Sequence, residues 1–158
     1  HDLVIHPRDD IMVAATHGRG MFAFDVRQLQ QLTTEIVGAD LHMFEPEGGL
    51  LALGTGRGRS STTAVQSAYV HYWLNEEAEV SLEIQDNRGQ IVNILEASGD
   101  PGLHAVEWTL ERMGPDQGGR GAGLSRRTDL VPPGEYTAIL KANNAEHRMP
   151  FRVARRQP

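Results

Sequence analysis

Between residues 80 and 89 the chain alternates apolar and polar side chains with a period of two. Val80, Leu82 and Ile84 stand against Ser81, Glu83 and Gln85, and the run ends in Asp86-Asn87-Arg88-Gly89. That period puts one side of the segment against a core and the other in water, which a strand achieves and a helix of 3.6-residue period does not. Gly89 supplies the positive φ that a hairpin turn requires. Residues 69–74 alternate in the same way, and further strand-like runs lie at 91–95, 102–110, 135–141 and 147–154, with Gly, Pro, Asn or Asp in the turns between them. Seventeen Gly and eight Pro in 158 residues suit a chain of many turns. The expectation is an all-β fold, with six or seven short strands over 68–158 forming an immunoglobulin-like β-sandwich.

The alternation also nominates a core: Val80, Leu82, Ile84, Val106, Trp108, Tyr136, Ile139 and Leu140. Trp108 alternates with Val106 and Leu110, which favours packing over ligand stacking. Tyr69, His71 and Trp73 alternate with Val70, Tyr72 and Leu74. Only one face of such a strand is buried, so Tyr72 or Trp73 is a candidate surface aromatic, suited to stacking on a sugar.

Residues 1–26 read as three strands, at 3–6, 12–16 and 21–25, with turn chemistry at Pro7-Arg8-Asp9-Asp10 and His17-Gly18-Arg19-Gly20. Ile11 to Thr16 and Met21 to Val26 are apolar on both faces, as in a sheet covered on each side. Three short strands are marginal alone in water. Val4, Ile5, Val13, Ala15, Phe22 and Phe24 are therefore the candidate strand-pairing residues, with Phe22 or Phe24 expected to be buried. Their cover would come from the remainder of a longer chain or from a second copy. The opening His1-Asp2-Leu3-Val4, without Met, suits a chain whose upstream part was removed or which is the tail of a longer polypeptide.

Residues 27–67 change character. Leu29 and Leu32 suit one or two helical turns, and Thr34 is placed to cap a further turn through Ile36 and Val37, with Glu35 near its positive end. Residues 40–46 look extended, and Gly48 to Thr63 has the composition of a solvated linker. The expected divisions are thus 1–26, 27–67 and 68–158.

Charge and chemistry narrow the function. Fifteen basic and twenty-one acidic residues give a net charge of −6. They are interspersed, which argues against nucleic acid as the main partner. No apolar run approaches the ~20 residues needed for a transmembrane helix. The absence of Cys excludes disulfides, thiolate metal sites and a thiol nucleophile. Gly54-Thr55-Gly56-Arg57-Gly58-Arg59-Ser60 has the wrong spacing for a phosphate loop and lacks its lysine. His6 and His17, with Asp9 or Asp10, match no metal motif. The carboxylates fall at turns (Asp86, Asp100, Asp116) or outward strand positions (Glu83, Glu107), without the pair that glycoside hydrolysis needs. Ser60, Ser61 and Ser67 lack the nucleophile-elbow pattern. Neither a catalytic residue, a metal nor a cofactor is expected.

Several segments together resemble a known family. Asp2 to Asp9 followed by Ala15-Thr16-His17-Gly18-Arg19-Gly20-Met21-Phe22 is similar to the last blade of bacterial sortilin-like, BNR-repeat β-propellers, often labelled glycosyl hydrolases. Gln28 to Thr33 and Leu41 to Pro46 follow in the family's order. Val80 to Gly89, Gly102 to Leu110 and Val131 to Leu140 resemble the immunoglobulin-like domain, of flagellar hook-cap type, that closes such proteins. The Asp-box of the repeats is absent, and Gly114 to Arg127 is longer and richer in Gly than the family's text. The resemblance implies a propeller-blade remnant, a helical and linker segment, then a sandwich, in a secreted, periplasmic or cell-surface protein. It implies a noncatalytic module for protein or surface-glycan contact. The alternatives are a self-assembling extracellular subunit joined by strand exchange, and the tail of a glycoside hydrolase whose active site lies upstream. No membrane insertion is expected.

Overall fold

The computed structural model describes residues 2–5, 11–15, 21–53, 63–113 and 130–156. The chain is mostly β-strand with two short helices, and it divides into two compact units, 1–39 and 40–158.

In the first unit, β1 (Asp2–Ile5), β2 (Ile11–Ala15) and β3 (Met21–Asp25) form an antiparallel meander in the order β1-β2-β3. β3 has the expected bounds, whereas β1 and β2 each begin one residue before the expected 3–6 and 12–16, of which residues 6 and 16 lie outside the described residues. Two short helices follow, α1 (Arg27–Gln31) and α2 (Thr34–Val37). The cap of α2 is Thr33 rather than Thr34: its Oγ1 accepts from the Ile36 amide at 3.3 Å, with Glu35 in the first turn as expected. Both threonines can cap; Thr33 is the one with extended backbone, which aims its hydroxyl at the free amides.

Among its described residues the second unit holds nine strands: β4 (Leu41–Met43), β5 (Leu50–Leu53), β6 (Thr63–Gln66), β7 (Ala68–Leu74), β8 (Val80–Asp86), β9 (Ile91–Leu95), β10 (Gly102–Trp108), β11 (Gly134–Ala142) and β12 (Ala145–Arg156). One sheet has the order β10-β7-β4 and the other β6-β5-β12-β11-β8-β9. Among the described residues all pairs are antiparallel except β5 with β12, where Leu50 lies against Ala154 and Ala52 against Arg156. Inward residues of both sheets meet in one core, with Met43, Val70, Tyr72 and Leu74 from the first and Leu82, Ile84, Ala138 and Leu140 from the second.

Two turns explain the hairpins of the larger sheet. Asp86 Oδ1 accepts from the amides of Arg88 and Gln90, and Gly89 takes φ +76°, so the β8–β9 reversal is set by one carboxylate and one glycine. Asn143, at φ +50°, makes the β11–β12 turn, a conformation Asn tolerates better than most residues.

Two expectations need correction. Gly48 to Thr63 is not all linker, because β5 pairs with β12 inside the second unit, while the expected extended run at 40–46 holds β4, which joins β7. Its strands are only three or four residues long, too short to show a period, and the partner of β5 lies far along the chain. Residues 54–62, the Gly-rich part of that stretch, lie outside the described residues. Ile139 also belongs elsewhere. It is buried, but on the outer face between Glu83 and Arg148, while Ala138 and Leu140 face the core. Lys141 and Glu83 pair on that face at 3.0 Å, and long polar side chains can shelter an apolar neighbour. Leu82, Ile84, Trp108, Tyr136 and Leu140 are in the core as expected, with Val80 and Val106 partly buried against it.

Candidate interaction surfaces

The proposed strand-pairing residues all lie in paired positions of the β1-β2-β3 meander. Val4 faces Val13, Ala15 pairs with both Asp2 and Met21, Ile5 with Met12, Phe22 with Ala14 and Phe24 with Met12. The side chains of these six, including the expected burial of Phe22 or Phe24, lie outside the described residues. So do His6, His17 and residues 114–129.

Tyr72 is not a surface aromatic. It is fully buried on the inward side of β7, and its hydroxyl donates to the Ser98 carbonyl at 2.6 Å. Burial pushes its pKa up to about 12, with the Asp100 carboxylate adding to the rise and the bond to Ser98 opposing it. The strand's parity decides the matter, since Tyr72 shares a side with Val70 and Leu74. Trp73 has the opposite parity and is half-buried on the outer side, between Leu103 and His42 in the register. Glu107, read as outward, accepts a hydrogen bond from Ser67 Oγ at 2.5 Å and raises the pKa of Tyr69 opposite it, behind the larger effect of burial.

An aromatic cluster anchors the core. Trp108 meets Tyr136 edge-on with ring centres 5.4 Å apart and Phe151 likewise at 5.9 Å. Each polar tip has a partner: Trp108 Nε1 donates to the Glu111 carbonyl at 2.9 Å, and the Tyr136 hydroxyl donates to the Pro132 carbonyl at 2.7 Å. The sequence placed both aromatics in the core but pointed to neither bond. A signal for the Tyr136 bond was available in Pro132-Pro133-Gly134-Glu135-Tyr136, a rigid turn leading into a strand with a tyrosine two residues in.

Among the described residues, β9 forms one edge of the larger sheet and β6 the other. The five residues of β9, Ile91-Val92-Asn93-Ile94-Leu95, carry no charge. The register passes from Ile84–Asn93 to Gln85–Ile91, so Val92 is the extra residue of a bulge. Val92 turns into the core, whereas Ile91 and Ile94 stand on the outer face, 47% and 49% exposed. Beyond Trp108 the chain turns at Leu110 and runs beside this edge. The Met113 amide donates to the Val92 carbonyl at 2.8 Å, and Asn93 Nδ2 donates to the Glu111 carbonyl at 2.8 Å.

Concavities lie at both ends of the second unit. One of about 460 Å³ is lined by Asp40, Glu76, Asn143 and Asn144 among others; another, of about 370 Å³, lies among Asp86, Arg88, Arg112 and Pro132. Among the described residues, no group of three or more His, Asp or Glu is arranged to hold a metal ion. No described helix is long and apolar enough to cross a membrane.

Comparison with known proteins yields no matching family model, no matching curated protein and no matching solved structure.

Proposed function

We propose that residues 40–158 are an immunoglobulin-like β-sandwich acting as a noncatalytic interaction module, carried behind the last blade of a sortilin-like BNR-repeat propeller. The single observation that carries the reading is the pairing of strand order with the Tyr136–Pro132 bond. Strands β4, β7 and β10 take the places of A, B and E, and β9, β8, β11 and β12 those of C′, C, F and G. A tyrosine near the start of F, bonded back to backbone a few residues upstream, is a hallmark of that fold. The parallel pairing of β5 with β12 fits a first strand divided between the two sheets. Two features depart from the antibody form: the chain has no Cys for an inter-sheet disulfide, and its buried tryptophan is on β10 rather than on the third strand.

The propeller part, and a site of action outside the cytoplasm, rest on the resemblance of residues 1–46 and on the three-stranded meander. Such a module works by geometry: a rigid core holds strand edges and loops in fixed positions for a protein or a surface glycan. The test is direct. The full chain should bind on an array of bacterial-surface glycans or in a self-association assay, and should turn over no aryl glycoside. Glycoside turnover that vanished on Glu107→Gln would overturn the reading.

A further inference from the structure

We propose that residues Glu111–Met113 are a strap that guards the β9 edge, and that lifting it lets β9 pair with β9 of a second copy. The inference deepens the interaction-module reading and rests on it for the partner.

Edge strands offer unpaired backbone groups to other chains, and proteins blunt them with charges, proline, bulges or covering segments. β9 has neither charge nor proline. It has the bulge at Val92, and the strap takes the carbonyl of that same residue through the Met113 amide. Ile91 and Ile94 remain exposed on the sheet's outer face beside it, as does Met113 at 54%. An uncharged strand of this kind is matched by one equally uncharged. Antiparallel pairing of two β9 strands about Asn93 sets Ile91 against Leu95 and Val92 against Ile94, and no like charges meet. A two-fold contact of this type is closed and yields a dimer.

The strap is held by a strained joint. Leu110 is fully buried, yet its φ is +62°, a conformation that a bulky side chain seldom adopts. Its neighbours fix it there: the Val131 amide donates to the Leu110 carbonyl at 2.8 Å, and the Glu111 carbonyl accepts from both Trp108 Nε1 and Asn93 Nδ2. Asn93 therefore connects the edge strand to its own cover. Losing its amide leaves the joint strained and the strap short of a tether.

The experiment compares wild-type full chain with Asn93→Ala by amide exchange at Met113 and by light scattering across a concentration series. The expected result for Asn93→Ala is Met113 exchange faster on the order of tenfold, about what one hydrogen bond supplies, with dimer appearing at correspondingly lower concentration. Ile94→Lys in the same background should return the chain to monomer. Should Asn93→Ala fail to fold, Met113→Pro removes the strap's amide donor at an exposed position and should give the same association. Unchanged exchange overturns the strap. Faster exchange without dimer overturns its guarding role, and dimer that survives Ile94→Lys overturns β9 as the contact. Exchange reports on the strap whatever the chain binds, so its failure and that of the module reading are told apart.

Discussion

The hydroxyl of Tyr136 donates to the carbonyl of Pro132 at 2.7 Å, tying the start of β11 to the turn that feeds it. Tyr136→Phe keeps the ring against Trp108 and Phe151 and removes only that bond. The expected loss is about 1 kcal/mol, because the carbonyl is left short of a partner. Thermal unfolding followed by near-ultraviolet dichroism should show a midpoint lower by roughly 3 °C, with native packing otherwise kept.

Trp108 fills the largest share of the same cluster. Trp108→Ala should cost about 3–5 kcal/mol, the range for buried aromatic truncation. Trp108→Phe should cost less but also loosen residues 111–113, since the indole donor to Glu111 is gone. Urea titration separates the two variants, and a smaller loss for Ala than for Phe would contradict this account of the core.

Alkali should act through Tyr72. Its folded pKa of about 12 lies above the unfolded value near 10, so the neutral phenol is the form that folding favours. The contribution is complete below pH 10 and declines as pH rises from about 10 to 12. Over those two units it amounts to about 3 kcal/mol at most. Tyr72→Phe should be less stable at neutral pH, lacking the bond to Ser98, and should lose stability less steeply in alkali. The slope will not vanish, because burial raises the pKa of Tyr136 and Tyr69 as well. Denaturant midpoints at pH 9, 10 and 11 would show this difference in slope.

Gly99 abuts the Ala78 carbonyl oxygen so closely that a Cβ could not be added without moving the backbone. The same loop is held by the Ala78 amide bonding to the Gly99 carbonyl at 2.9 Å. Gly99→Ala should therefore destabilise by about 1–3 kcal/mol, the cost of forced overpacking. Gly89→Ala offers a contrast: its site is open, and its penalty comes from φ +76° alone. Chemical denaturation of both variants compares a steric cost with a conformational one.

How much of this could be read from the sequence depends on how local the cause was. Val80 to Gln85 declared its strand through period two, and Gly89 and Asn143 declared their turns through backbone preference. β4 was legible only as an extended run, because a three-residue strand has no measurable period, and β5 was not legible, because it finds its partner only at Ala154. Tyr72 and Trp73 are adjacent, and parity gives them opposite fates; the alternating row was visible, but which half of it faced the core was not. Ile139 was misplaced because Ile139 and Leu140 are both apolar, and composition cannot say which is sheltered by charged neighbours instead of by the core. The strap was hidden altogether. A leucine at positive φ follows from hydrogen bonds made by Asn93, Trp108 and Val131, and none of those is written in the residues around it.

The parallel pairing of β5 beside β12 bears on how this domain comes into being on the ribosome. Leu50 emerges 104 positions before the residue it lies against. Until Ala145–Arg156 has been made, β5 has no place in the larger sheet and β11 lacks its neighbour on that side. The nascent chain must therefore wait, its earlier strands exposed, for β12 to insert between two that are already present. Chains whose pairings span such distances fold slowly, because loop closure is paid in entropy before any contact returns it. The interval between synthesis of β11 and arrival of β12 is when this protein is most open to chaperones and to other unfinished chains.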